Sequence, residues 1–294
     1  SPNGDGTSPE PSYVAISGDG RWVGWTGNFT GVFVYDLWTG QTTRADVAYD
    51  GGAPNNTAPF FGGLSFDGRY ALFTSFASDL LAPGKDTNDA LDAFVRDLVL
   101  GVTERVSVRT DGTQYDGTGI FTTGPHGLCA DGRFALISAY PAGSLVPGLV
   151  PDNGALLVRD RASGVTEHVD VRADGGLAND YGMLGSDALS ADGRTAAFIT
   201  QGSNLATGTT DTNGFSDLYV RGLDATDPNG VDTLFADGTI DDVVLEVVDA
   251  TTGAVTTHCP AGRVSVAGGN AVYLRPESTS GAGSCPAGSL NGDG

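Results

Sequence analysis

The sequence predicts an all-β fold, a β-propeller of about five four-stranded blades, with four or six blades or closure by another chain as alternatives. Three observations carry this. Ser17-Gly18-Asp19-Gly20-Arg21, Ser65-Phe66-Asp67-Gly68-Arg69, Cys129-Ala130-Asp131-Gly132-Arg133 and Ser190-Ala191-Asp192-Gly193-Arg194 repeat one turn, and Gly268-Gly269-Asn270 is a degenerate fifth copy. Each lies between two short alternating apolar runs, and Asp-Gly supplies the positive φ that a tight hairpin needs. A second hairpin follows most copies, so the unit recurs at roughly 50–75 residues and holds only strands.

The elements follow in order. Inner hairpins are expected at Val14 to Trp25, Leu64 to Phe73, Leu128 to Ile137, Leu189 to Ile199 and Val264 to Leu274, where one face alternates apolar and the other small or polar. Outer pairs are expected at Val32–Asp36 with Thr42–Ala45, Ala93–Asp97 with Thr103–Val108, Leu156–Asp160 with Thr166–Val171, and Leu218–Arg221 with Val231–Phe235. Turns such as Thr39-Gly40 and Ser163-Gly164 join the members of a pair. Val243–Val248 and Ala254–His258 form another outer pair, but it precedes the hairpin at Val264. Either the fifth blade closes in that permuted order, or the terminal hairpin waits for strands from elsewhere. The latter leaves an open edge suited to head-to-tail strand exchange between copies. The expected boundaries are a tail over 1–11, the propeller over 12–276 and a Gly/Ser-rich segment over 277–294.

Charge limits the partners. With 15 Lys+Arg against 36 Asp+Glu, the formal charge is −21, and no basic stripe exists for phosphate, which argues against nucleic acid. No apolar run approaches the ~20 residues of a membrane-spanning helix. No cationic-then-apolar leader opens the sequence, which reads as a mature or excised form. Cys259-Pro260-Ala261-Gly262 and Cys285-Pro286-Ala287-Gly288 bracket one hairpin and are read as a disulfide, implying an oxidising, extracellular setting. Cys129 takes the place of Ser17, Ser65 and Ser190 as a small buried residue.

The chemistry-bearing pattern is Asp-x-Asn-x-x-x-Asp before a third strand: Asp86, Asn88 and Asp92 in one unit, Asp211, Asn213 and Asp217 in another. Short carboxylates and amides at this spacing can gather around a Ca2+ ion, with carbonyls and water completing its shell. Turn capping by the same side chains is the competing explanation. Weaker acidic clusters are Asp227, Asn229 and Asp232; Asp237, Asp241 and Asp242; and Asn291 with Asp293, which mirrors the N-terminal Asn3-Gly4-Asp5-Gly6. In the third unit Ala155 replaces Asp92, and in the first Gly31 does, so neither is expected to hold an ion.

His126, His168 and His258 are the only histidines and lie in no nucleophile or metal motif, so no enzymatic constellation is expected. Trp22, Trp25 and Trp38 cluster in the first unit, either as blade core or as a face for stacking on sugars. Asn28-Phe29-Thr30 and Asn55-Asn56-Thr57 match the glycosylation sequon.

In Ser78-Asp79-Leu80, Pro83-Gly84, Asp86 through Asp97, and again in Ser203-Asn204-Leu205 through Arg221, the chain resembles the TolB-like and WD-type propeller repeats of secreted bacterial proteins. Asp89 stands where that pattern has Gly, and Gly222 replaces its last Asp. Asp237 to Val255 and the closing Leu290-Asn291-Gly292-Asp293-Gly294 look like a sister repeat of large surface proteins. The resemblance implies fold and an extracellular or cell-surface location, without a single activity. The combined expectation is a calcium-stabilised propeller serving as a structural, adhesive or assembly module, self-associating or bound to cell-surface glycan. The alternative is a glycan- or peptide-binding propeller, or a propeller hydrolase or lyase with its site at the central channel.

Overall fold

The computed structural model describes residues 11–223, apart from 28–29, 57–59, 117–118, 123–125, 141–144, 147–153, 173–174, 181–187 and 206–214; beyond these it describes the backbone of 244–248, 255–260, 263–267 and 270–274. Three complete antiparallel meanders follow one another. The first is β1 (Pro11–Ile16), β2 (Trp22–Gly27), β3 (Val32–Asp36) and β4 (Thr42–Arg44); the second is β5 (Phe60–Leu64), β6 (Tyr70–Ser75), β7 (Asp92–Asp97) and β8 (Val102–Arg105). The third is β9 (Gly119–Thr122), β10 (Phe134–Tyr140), β11 (Ala155–Asp160) and β12 (Val165–His168). A fourth sheet holds β13 (Ala188–Leu189), β14 (Thr195–Thr200) and β15 (Asp217–Gly222). The expected partner strand at Val231–Phe235 lies outside the described residues. Two further hairpins, β16 (Val244–Val248) with β17 (Val255–Pro260) and β18 (Arg263–Ala267) with β19 (Asn270–Leu274), pair as the alternation predicts.

The third blade departs from the expected boundary. Its first strand is β9, which pairs with residues 137–140 of β10, whereas the predicted start at Leu128 makes only an isolated bridge to Ala135. The chain leaves the ladder between these two pairings, so an apolar run beside the turn was mistaken for the whole strand.

Blades stack face to face because their central strands are buried on both sides, most fully in β6, β7, β10 and β11. Leu72, Val95, Ile120, Ile137 and Leu157 are fully buried between the second and third blades. Val34, Phe61, Phe73 and Phe94 do the same between the first and second, and Leu136, Val158, Phe198 and Tyr219 between the third and fourth. Fully burying one such side chain contributes about 1.5–3 kcal/mol. The turns are also joined across blades: Asp19 N–H donates to Phe66 O at 3.0 Å, Phe66 N–H to Ala130 O at 2.8 Å, and Ala130 N–H to Ala191 O at 2.8 Å. This places the four Asp-Gly turns in one hydrogen-bonded row. Trp22 packs into this row against Gly68 of the next blade, Trp25 lies beside Phe33 at 5.8 Å, and Trp38 is 77% exposed.

Candidate functional site

The repeated turn is the first part of a charged network. Ser17 Oγ donates to Asp19 Oδ1, which also accepts from Arg21 N–H at 3.0 Å, while Trp22 N–H donates to Ser17 Oγ at 2.9 Å. The arginine then crosses to the third strand: Arg21 Nε and Nη2 donate to the two oxygens of Asp36 at 2.9 and 2.6 Å. Arg133 meets Asp160 in the same way, and Arg69 donates through both nitrogens to the one Oδ2 of Asp97. Each carboxylate accepts backbone N–H groups of the following turn as well, so Asp36, Asp97 and Asp160 titrate below the ordinary carboxylate range. The sulfur of Cys129 replaces the serine oxygen at 3.0 Å from Asp131, and burial pushes its thiol up to about 11.

A second network sits at the far end of each blade, where the third strand begins. In the second blade Asp92 is fully buried and accepts from Ser107 Oγ, from Asn88 Nδ2 at 3.0 Å and from Arg105 Nη1 at 3.1 Å. The same Arg105 nitrogen is 3.2 Å from Asp86. The predicted triad Asp86, Asn88 and Asp92 is therefore brought together, but around a guanidinium. Asn88 aims its amide N–H at Asp92 and at the Tyr115 carbonyl, leaving no all-oxygen cage. In this arrangement the donor set does not fit a calcium ion. Burial raises the pKa values of Asp86 and Asp92 above the usual value even with Arg105 beside them.

The neighbouring blades hold a carboxylate in the same space from the opposite strand. Asp46 accepts Val32 N–H at 2.8 Å and Arg44 Nε at 2.9 Å; Asp170 accepts Leu156 N–H at 2.8 Å and lies 2.6 Å from His168 Nε2. In the second blade the corresponding N–H of Ala93 donates to Ser107 Oγ at 3.1 Å. A Cβ on Gly31 would come within 3.0 Å of Asp46 Oδ1, showing that the two strand positions compete for one volume. Thus Gly31 with Asp46, Asp92 with Ser107, and Ala155 with Asp170 are three solutions of one constraint. Sequence reasoning missed Arg44, Asp46, Arg105, His168 and Asp170, although the spaced pairs Arg44/Asp46, Arg105/Ser107 and His168/Asp170 carry the signal.

Of the second predicted triad, Asp217 is buried at the start of β15, in the place of Asp92, while Asp211 and Asn213 lie outside the described residues. So do Asp227, Asn229, Asp232, Asp237, Asp241, Asp242, Asn291, Asp293 and Cys285, and of Cys259 only the backbone is described. Among the described residues no group of three or more His, Cys, Asp or Glu side chains is placed to hold a metal. His126 is exposed and His168 belongs to the network above.

The chain matches no family model and no curated protein. Solved structures do match: TolB from Acinetobacter baumannii at 17% identity and TM-score 0.44, covering 85% of this chain and 52% of that one. The Myceliophteria thermophila Cps50 (Swd1) beta-propeller domain matches at 10% identity and TM-score 0.40, covering 87% and 64%, and the tricorn protease at 16% and 0.33, covering 85% and 22%. The chain thus spans about half the length of the TolB chain and less than two thirds of the others. The antiparallel sheets stacked in chain order are the blades of a β-propeller.

Proposed function

We propose that the protein is a non-catalytic extracellular propeller, a stiff module for adhesion or assembly. The observation that supports this is where the recurrent charged side chains go: Arg21, Arg69 and Arg133 are bound to Asp36, Asp97 and Asp160, and Arg44 and Arg105 to buried carboxylates. These groups brace turns and strand ends instead of converging on one reactive point, which is the economy expected of a scaffold. Self-association is the assembly mode favoured by the reversed order of the last two hairpins. Sedimentation velocity over a range of protein concentrations tests it: concentration-dependent growth supports assembly, and a monomer throughout rejects that mode and leaves glycan or peptide binding at the channel as the rival.

Calcium stabilisation belongs to the fourth blade in this reading. Asp217 repeats Asp92 there, and from Gly222 to Gly262 the sequence has eight Asp and Glu and no Lys or Arg. A divalent ion is then the available counter-charge, and its binding adds to stability by mass action. Melting in calcium against melting in chelator tests this, with Asp217→Asn as the control. A melting point indifferent to calcium removes the ion from the function.

A further inference from the structure

The groove between the second and third blades is plugged by an arginine. Arg161, the residue just after β11, donates through Nε to Glu104 Oε2 at 2.9 Å and through Nη1 to the Gly132 carbonyl, and its guanidinium lies 4.7 Å from the centre of the Tyr70 ring. Arg69 lies over the same ring at 4.9 Å, so Tyr70 is engaged by two guanidinium groups. Only 15% of the Arg161 side chain is exposed.

The next groove, between the third and fourth blades, repeats the socket without the plug. Glu167 stands in the place of Glu104, Phe134 in that of Tyr70, Gly193 in that of Gly132, and Leu223 in that of Arg161. The backbone equivalence is direct, since Arg161 N–H donates to Arg133 O and Leu223 N–H to Arg194 O. Leucine is too short and apolar to reach across, and a cavity of about 540 Å³ opens between the blades, lined by Glu167, Phe134, Asp192 and Leu223, by the paired Arg133 and Asp160, and by Arg194. Phe134 has one guanidinium near its ring, that of Arg133 at 4.7 Å. Glu167 makes no ion pair among the described residues.

We propose that this cavity is a binding socket for an arginine side chain of a partner polypeptide. The incoming guanidinium takes the place that Arg161 occupies one blade earlier, pairing with Glu167 and stacking beside Phe134. A planar fork satisfies carboxylate and ring together, which an ammonium does less well. The charge of −21 favours approach of a basic segment.

Calorimetric titration of the intact chain with acetyl-Gly-Arg-Gly-amide, against acetyl-Gly-Lys-Gly-amide, tests the proposal. Saturable one-to-one binding is expected for the arginine peptide, with the lysine peptide at least about fivefold weaker. Glu167→Gln should weaken binding about tenfold, the loss of one charge-assisted contact. Leu223→Arg should fill the socket from within and abolish binding while raising the melting temperature. Arg161→Leu should open a second socket and raise the stoichiometry towards two; if that variant does not fold, the other two decide. Absence of binding to the wild type, equal binding of both peptides, or unchanged affinity in Leu223→Arg overturns the proposal.

Discussion

Arg105 Nη1 lies 3.1 Å from Oδ2 of the fully buried Asp92, and the two side chains are 8% and 0% exposed. Thirteen residues separate them along the chain, and they meet because β7 and β8 are paired with Phe94 opposite Arg105. The guanidinium neutralises a charge that cannot reach water, so the pair holds the second blade's long loop against the sheet end. Its partner Asp86 brings the loop itself into that contact.

Removing the cation should therefore be costly. Arg105→Gln leaves Asp92 charged and buried, and a loss of about 3–5 kcal/mol is expected in urea denaturation at neutral pH. The folded-state pKa values of Asp86 and Asp92 already lie above the unfolded value. Their contribution is fully present below the unfolded value near 3.8 and is lost as pH rises through the folded value. The deficit of the variant should accordingly shrink on acidification, and a deficit independent of pH would refute the charge argument.

Asp160 behaves in the opposite sense. Its hydrogen bonds with Arg133 hold its pKa well below the ordinary 3.8, so its stabilisation exists above that value and disappears as pH falls through the folded value. Asp160→Asn should melt lower than the wild type at pH 7, and the two curves should converge in strong acid. Melting temperatures measured in steps down from neutrality check this.

The turn glycines are constrained unequally. At Gly68, with φ +70°, a Cβ would also collide with the Trp22 ring of the previous blade, whereas at Gly84, with φ +76°, it would meet nothing within 4 Å. Gly84→Ala should cost about 1 kcal/mol, the backbone strain alone. Gly68→Ala should cost clearly more, because the blade interface must shift. Equal losses in chemical denaturation would mean the interface yields freely.

Cys129 should be inert while the protein is folded. It is buried, and its thiol is pushed up to about 11, so little thiolate exists at pH 8. Alkylation mapped by mass spectrometry should mark it only after denaturant is added. Cys129→Ser should change stability by no more than about 1 kcal/mol, since serine makes the same two contacts in the sister blades.

The blade hairpins were legible because they are local. Positive φ at Gly20, Gly68, Gly132 and Gly193 and an alternating apolar run on each side are properties of a few adjacent residues. Even the link from Arg21 to Asp36 was half visible, as two motifs recurring in step. The candidate ion loop was legible only as a gathering of acids, and the nature of its counter-charge was not.

By itself, then, the amino-acid order determined the class of fold, the turns and the places where carboxylates accumulate, all of which follow from short-range periodicity and backbone preference. Tertiary structure alone decided that Arg105 answers Asp92, that Asp46 and Asp170 fill the same volume from another strand, and that Arg161 plugs one groove while Leu223 leaves the next open. Those outcomes depend on which side chains are brought within a few ångströms across paired strands and facing blades. Spacing along the chain does not encode that distance until the sheets are assembled.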